Sequence, residues 1–187
     1  MAIGRPGPGQ ATNTTLKEAL HIGLDEALTA LEESLRGLTD EQIWAFPFPD
    51  RHNVATIAMH AIENLDHYAC AFQIGRWALK HEDRFDMWQH SPAEVRDRMV
   101  NLPTYDNLLS RIRAIREAAT PALEQATERD LLGPRHADDW WKEKGRTSTD
   151  AYMRTIFHTM AHVRQIWFMR GVLGLTDKEG WPEQHWA

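Results

Sequence analysis

The segment IFHTMAHVRQIWFMRG, residues 156–171, decides how the chain is read. Ile156, Phe157, Met160, Val163, Ile166, Trp167 and Met169 recur at helical spacing, which predicts a helix buried on more than one side. His158 and His162 sit within that apolar surface, one turn apart. Imidazoles in a dry core need partners for their ring nitrogens, and two at i and i+4 share one neighbourhood, with Cβ atoms about 5–6 Å apart. A metal ion would satisfy both.

The pairing alone is a weak signal. With 10 histidines in 187 residues, chance gives roughly 0.5 His-x-x-x-His pairs. Position strengthens it: Ala151, Thr155, His158, His162, Gln165, Met169 and Val172 alternate steps of four and three, the seam that faces the interior of a helical bundle.

Working outward, every periodic stretch of the chain has the helical period, so the expected fold is all-α. A first long helix starts near Thr15, where TLKE sets Glu18 three residues after a capping threonine, and it ends at Gly37. LTDEQIWAFPFP gives a short capped turn from Thr39 and a proline-broken loop. A second long helix opens after Asp50 or Asn53 and reaches about Lys80. SPAE at residues 91–94 starts a short helix that stops near Pro103. A third long helix follows from Thr104, kinked or restarted at Pro121. Residues 128–146, rich in charge with Gly and Pro, read as a connecting loop, and TSTD caps a fourth long helix running to about Gly174.

Four amphipathic helices with modest connections predict a four-helix bundle over residues 15–175, with a short extra helix between the second and third long ones. Residues 1–14 are expected to form a flexible leader. Residues 176–187, with Trp181 and Trp186, are expected to be a tail docked on the bundle or on a second subunit.

Composition narrows the partners. The chain holds 42% hydrophobic and 26% charged residues, an ordinary globular balance. Its formal charge of -6 is spread along the chain, without the clustered Lys and Arg that nucleic acid requires. Apolar runs fall far short of the roughly 20 residues needed to cross a bilayer, and the N-terminus has no apolar core of a secretion signal. A cytoplasmic protein is expected. The lone cysteine, Cys70, has apolar neighbours and reads as a buried, inert thiol.

A third ligand for the histidine pair should come from another helix at the same height. The second long helix offers His60 on the row Ile57, His60, Asn64, His67, Ala71. At 1.5 Å per residue His60 lies roughly 12 Å up its helix, and His158 and His162 about 15 and 21 Å up theirs. In an up-down-up-down bundle these two helices run parallel, and the heights agree.

The two stretches HNVATIAMHAIENLDHY and IFHTMAHVRQIWFMRGVLG together resemble the DinB-like (damage-inducible, YfiT-type) metalloenzyme superfamily. The family pattern is a histidine in the second helix, a His-x-x-x-His pair in the fourth, then Gln-Ile and an arginine. The matching positions are His60, His158, His162, Gln165, Ile166 and Arg170, while Arg164 stands where many members have glycine. The resemblance covers roughly residues 15–175. It implies a four-helix bundle, often a homodimer, with a divalent metal held by three histidines and water. In some relatives that metal activates a low-molecular-weight thiol for transfer or isomerisation.

Three neutral imidazoles with an open position are the donor set of a catalytic zinc site, although imidazole suits nickel, copper and iron as well. One divalent transition metal per chain is expected, zinc first, activating water or a thiol for transfer or hydrolysis of a small molecule. The alternative is a non-catalytic, stress-associated metal-binding or dimerisation module whose metal braces the core. The zinc-protease motif is absent, because Thr159 occupies the place of its general base. Asn64 and Gln165 are candidates to orient the ligands from behind. Glu63, one turn after His60, could orient a ligand, accept a proton or make a salt bridge on the helix surface, and the surface reading ranks first. His67 reads as a partly exposed helix residue, and Trp44, Trp77 and Trp167 read as core. Trp140 and Trp141 read mainly as packing residues, in a loop beside which a substrate mouth would form. The remaining histidines show no pairing at ligand spacing.

Overall fold

The computed structural model describes residues 14–84, 90–97 and 103–175. The leader through residue 13 and the tail with Trp181 and Trp186 lie outside the described residues. So do residues 98–102, between the short helix and Pro103, where that helix was expected to continue.

Caps written in the sequence set the helix starts. Thr15 and Glu18 close a capping box on α1 (Leu16–Leu35), and Thr39 and Gln42 close one on α2 (Asp40–Trp44). Asn53 caps α3 (Val54–Leu65) through its side-chain oxygen and the Thr56 amide. The rod continues without a break as a π-helical segment (Asp66–Ala71) and a last turn, α4 (Phe72–Ile74). α5 (Pro92–Asp97) follows, then α6 (Tyr105–Gln125), capped by Thr104 and Asn107. The chain goes on through α7 (Glu128–Leu132) and α8 (Asp139–Glu143) to α9 (Ser148–Val172) behind the Thr147 and Asp150 box. No strand occurs among the described residues.

Three boundaries differ from the sequence expectation. The second rod stops at Ile74, not near Lys80, because Gly75 takes φ 74° and turns the chain away. α6 runs through Pro121 as one helix, with that proline on its exposed side. Residues 128–146 hold two short helices where a loop was expected: Thr127 with Asp130, and Asp138, supply caps that charge and Gly content obscured.

The long rods form a ring in which α1 packs on α6 and α9, and α3 packs on the same two. Directions follow from named contacts. Gly23 lies against Ile156, and Arg170 donates to the carbonyls of Ser34 (3.3 Å) and Arg36 (2.8 Å), so α1 and α9 run parallel. Lys17 reaches the Glu124 carbonyl at 3.0 Å, while Arg116 meets Asp25 and Glu32, so α1 and α6 are antiparallel. His60 faces His158 and His162, whereas Tyr68 meets Arg154 and clusters with Ala151, so α3 and α9 are antiparallel.

The order is therefore up, down, down, up, which overturns the parallel pairing of the second and fourth long helices. Their histidines still meet because His158 and His162 flank the middle of α9, where height is nearly the same counted from either end.

One continuous core fills the ring, led by Leu24, Leu28, Leu31, Ile62, Ile112 and Ile166. A smaller cluster of Tyr68, Phe72, Ala137, Trp141 and Ala151 closes one end of the α3–α9 seam. α9 is not buried all round: Phe157 and Phe168 are 66% and 64% exposed, so part of the apolar surface read as core faces outward. No helix among the described residues is long and apolar enough to cross a membrane.

Candidate metal centre

Helical period puts Ile57, His60, Asn64, His67 and Ala71 in one half-buried row on the rod of α3, and this row borders α9. From α9, His158 and His162 reach the same seam. One ligand nitrogen from each of His60, His158 and His162 can be chosen so that all lie within 4.8 Å of one another. The ring centroids are 4.4–4.8 Å apart and every pair is edge-on.

The arrangement fixes which nitrogens converge. Gln165 Oε1 sits 2.6 Å from His162 Nδ1, so that nitrogen carries the proton and donates it. The lone pair of His162 is left on Nε2, which lies 3.2 Å from His158 Nε2. A tetrahedral ion bound at about 2.0–2.1 Å to each imidazole would hold two nitrogens about 3.3 Å apart. The pair on α9 already has about that separation, and a His60 nitrogen lies within 4.8 Å of both. His158 Nδ1 and Asn64 Oδ1 are buried without a hydrogen-bond partner among the described residues. The donor set fits a divalent transition metal.

Electrostatics keep the rings neutral, the state a metal needs. His60 and His158 are both pushed down to about 4, first by burial and then by the charge of neighbouring histidines. His162 is lowered by burial, against the opposing effect of the hydrogen bond it donates to Gln165.

Other expected residues fall as follows. Asn64 lies one turn beyond His60 on the same row, and Gln165 touches His162 directly. Glu63 is not on the helix surface: it is 7% exposed and close enough to Arg111 of α6 for its charge to favour the protonated guanidinium. Arg111 also meets the half-exposed Asp83 at 3.5 Å, so Glu63 shares its cation with a second carboxylate.

His67 stacks on Trp77 at 5.1 Å, and Trp77 stands in the turn after Gly75, not on a helix. Trp141 is buried in the end cluster and Trp140 is half exposed. Sequence reasoning missed His52, half-buried and near enough to His60 to depress its protonation. It precedes the helix cap, so no helical spacing links it to the triad.

The fold has a solved counterpart. A crystal structure of a conserved protein from Enterococcus faecalis superposes with a TM-score of 0.65 at 21% identity, covering 84% of this chain and 97% of that one. No curated protein matches the chain. The profile of the DinB superfamily matches residues 23–166, well over half of the sequence. With its helical ring and its three-histidine seam, the chain belongs to the DinB superfamily.

Proposed function

We propose that this protein is a metal-dependent enzyme in which His60, His158 and His162 hold one divalent transition ion, zinc first, for transfer or hydrolysis of a small molecule. The observation that carries the reading is the convergence of three neutral imidazoles from two antiparallel helices within 4.8 Å. A bound divalent ion would supply Lewis acidity able to deprotonate water or a low-molecular-weight thiol near neutral pH. The chain supplies the rest: Gln165 holds the His162 tautomer, and Asn64, one turn beyond His60, offers an amide on the same row. Three protein ligands with no fourth among the described residues favour an open coordination position, the pattern of a catalytic site over a structural one.

A cytoplasmic setting agrees with the single buried cysteine, whose thiol is pushed far up by burial and so stays protonated. A homodimer is proposed on the outward apolar face of α1 and α9, where Ile22, Met153 and Phe157 are exposed. The test of the metal site is elemental analysis of untagged protein. About one metal per chain is expected, falling to none in His158→Ala; a variant that keeps its full metal content rejects the site. X-ray absorption then separates catalysis from a structural brace, since a fourth protein ligand would close the coordination sphere.

A further inference from the structure

We propose that Arg154 anchors a carboxylate of the substrate, so that the small molecule handled at the three-histidine site is an anion whose charged end lies one helical turn from His158. The inference rests on the metal reading of that site and adds the class of molecule it takes.

Arg154 stands four residues before His158 on α9, hence on the same side of the helix and about 6 Å along its axis. Its guanidinium lies 5.2 Å over the Tyr68 ring, and the Tyr68 ring is 4.7 Å from that of His67. Because α3 and α9 are antiparallel, Arg154 therefore sits across the seam from the stretch of α3 that follows Asn64. Its charge reaches both His158 and His67, opposing their protonation. The side chain is exposed, with an aromatic face beneath it and no carboxylate partner among the described residues.

In a chain of net charge -6, such a guanidinium beside a metal seat is an open anion receptor. A ring underneath fixes the plane of the fork and leaves its N–H edge for a ligand. One guanidinium balances one carboxylate. A phosphate dianion would call for further donors, and Arg84 and Arg146, which also lie over rings, are half-buried where Arg154 is exposed.

The test uses full-length protein loaded with cobalt(II), titrated with mercaptopropionate and with its methyl ester while the sulfur-to-cobalt absorption band is followed. The acid should bind about tenfold or more tightly than the ester, the worth of one charge-assisted hydrogen-bonded pair. Arg154→Gln should bring that ratio close to one without changing ester affinity or cobalt content, and Arg154→Lys should restore part of it. An unchanged ratio in Arg154→Gln, or no preference in the parent protein, overturns the anchor and leaves the metal site standing. No cobalt spectrum in the parent protein overturns both. Should the Gln variant fail to fold, salt decides: an exposed pair is screened, so an acid-to-ester ratio that does not fall with ionic strength refutes the proposal.

Discussion

Gln165 is an exposed side chain with a specific task, since its 2.6 Å hydrogen bond decides which nitrogen of His162 is free. Gln165→Ala should leave the fold intact and weaken metal binding by about 10–100-fold, the usual cost of losing a group that orients a ligand. Competition with a chelator would measure it, and an unchanged affinity would show that Gln165 only caps a solvated ring. The neutral state of the triad has its own consequence. In the unfolded chain an imidazole takes up a proton near pH 6.5, but in the folded chain His60 and His158 resist until about 4. Below pH 6.5 the unfolded state binds more protons, so metal-free protein should lose stability progressively from pH 6.5 to 4 and be flat in this respect above 6.5. Urea midpoints at pH 7 and pH 5 test this, with the His60→Asn, His158→Asn double variant expected to show a shallower fall. The row carrying His60 and Asn64 was legible in the sequence because helical period dictates which residues share a side. Glu63 was not, because the cation that faces it, Arg111, comes from α6, a partner that no local spacing reveals.

The rod that carries His60 is an α-helix that widens into a π segment at Asp66–Ala71 before it stops. The wide turn loosens the ordinary ladder, and buried side chains take up the slack: Gln73 Nε2 donates to the Tyr68 carbonyl at 2.9 Å. Asp66 accepts from the amides of Ala78 (2.6 Å) and Leu79 (3.0 Å), tying down the chain that returns after Gly75. This return is what sets Trp77 against His67. Gly75 is the pivot. It holds φ 74°, and a Cβ there would meet His136 Nδ1 at 3.2 Å. Gly75→Ala should cost about 1–2 kcal/mol for the left-handed backbone alone, lowering Tm by about 2–8 °C. A thermal melt with no change would mean the turn relaxes into another conformation. Helix starts at Thr15, Thr39, Thr104 and Thr147 were readable because a capping box is local chemistry. The π segment was not, since one extra residue per turn leaves no mark in composition. The two short helices in residues 128–146 escaped for a related reason, each being too brief to show a period.

Across the molecule, the up, down, down, up order places parallel α1 and α9 side by side and sets the histidine seam between α9 and antiparallel α3. Periodicity could forecast four apolar stripes but not their directions, because a stripe reads the same from either end. The direction was fixed by contacts far apart in the chain, such as Arg170 bonding to the carbonyls that end α1. The same arrangement leaves the outer face of α1 and α9 with exposed Ile22, Met153 and Phe157. Glu18 and Glu26 flank Ile22, and Arg164 stands two turns beyond Phe157, all three exposed. A two-fold copy laid on this face buries the apolar residues against their counterparts and brings the acidic side of one α1 to the basic side of the partner's α9. Phe157→Glu puts a charge in the middle of that surface while staying clear of the imidazoles, since position 157 points about 100° away from His158 around the helix. Sedimentation of the unaltered protein should give a dimer at micromolar concentration, and the Phe157→Glu variant should sediment as a monomer with its metal content intact. A monomer for both, or a dimer for both, would remove this face as the interface.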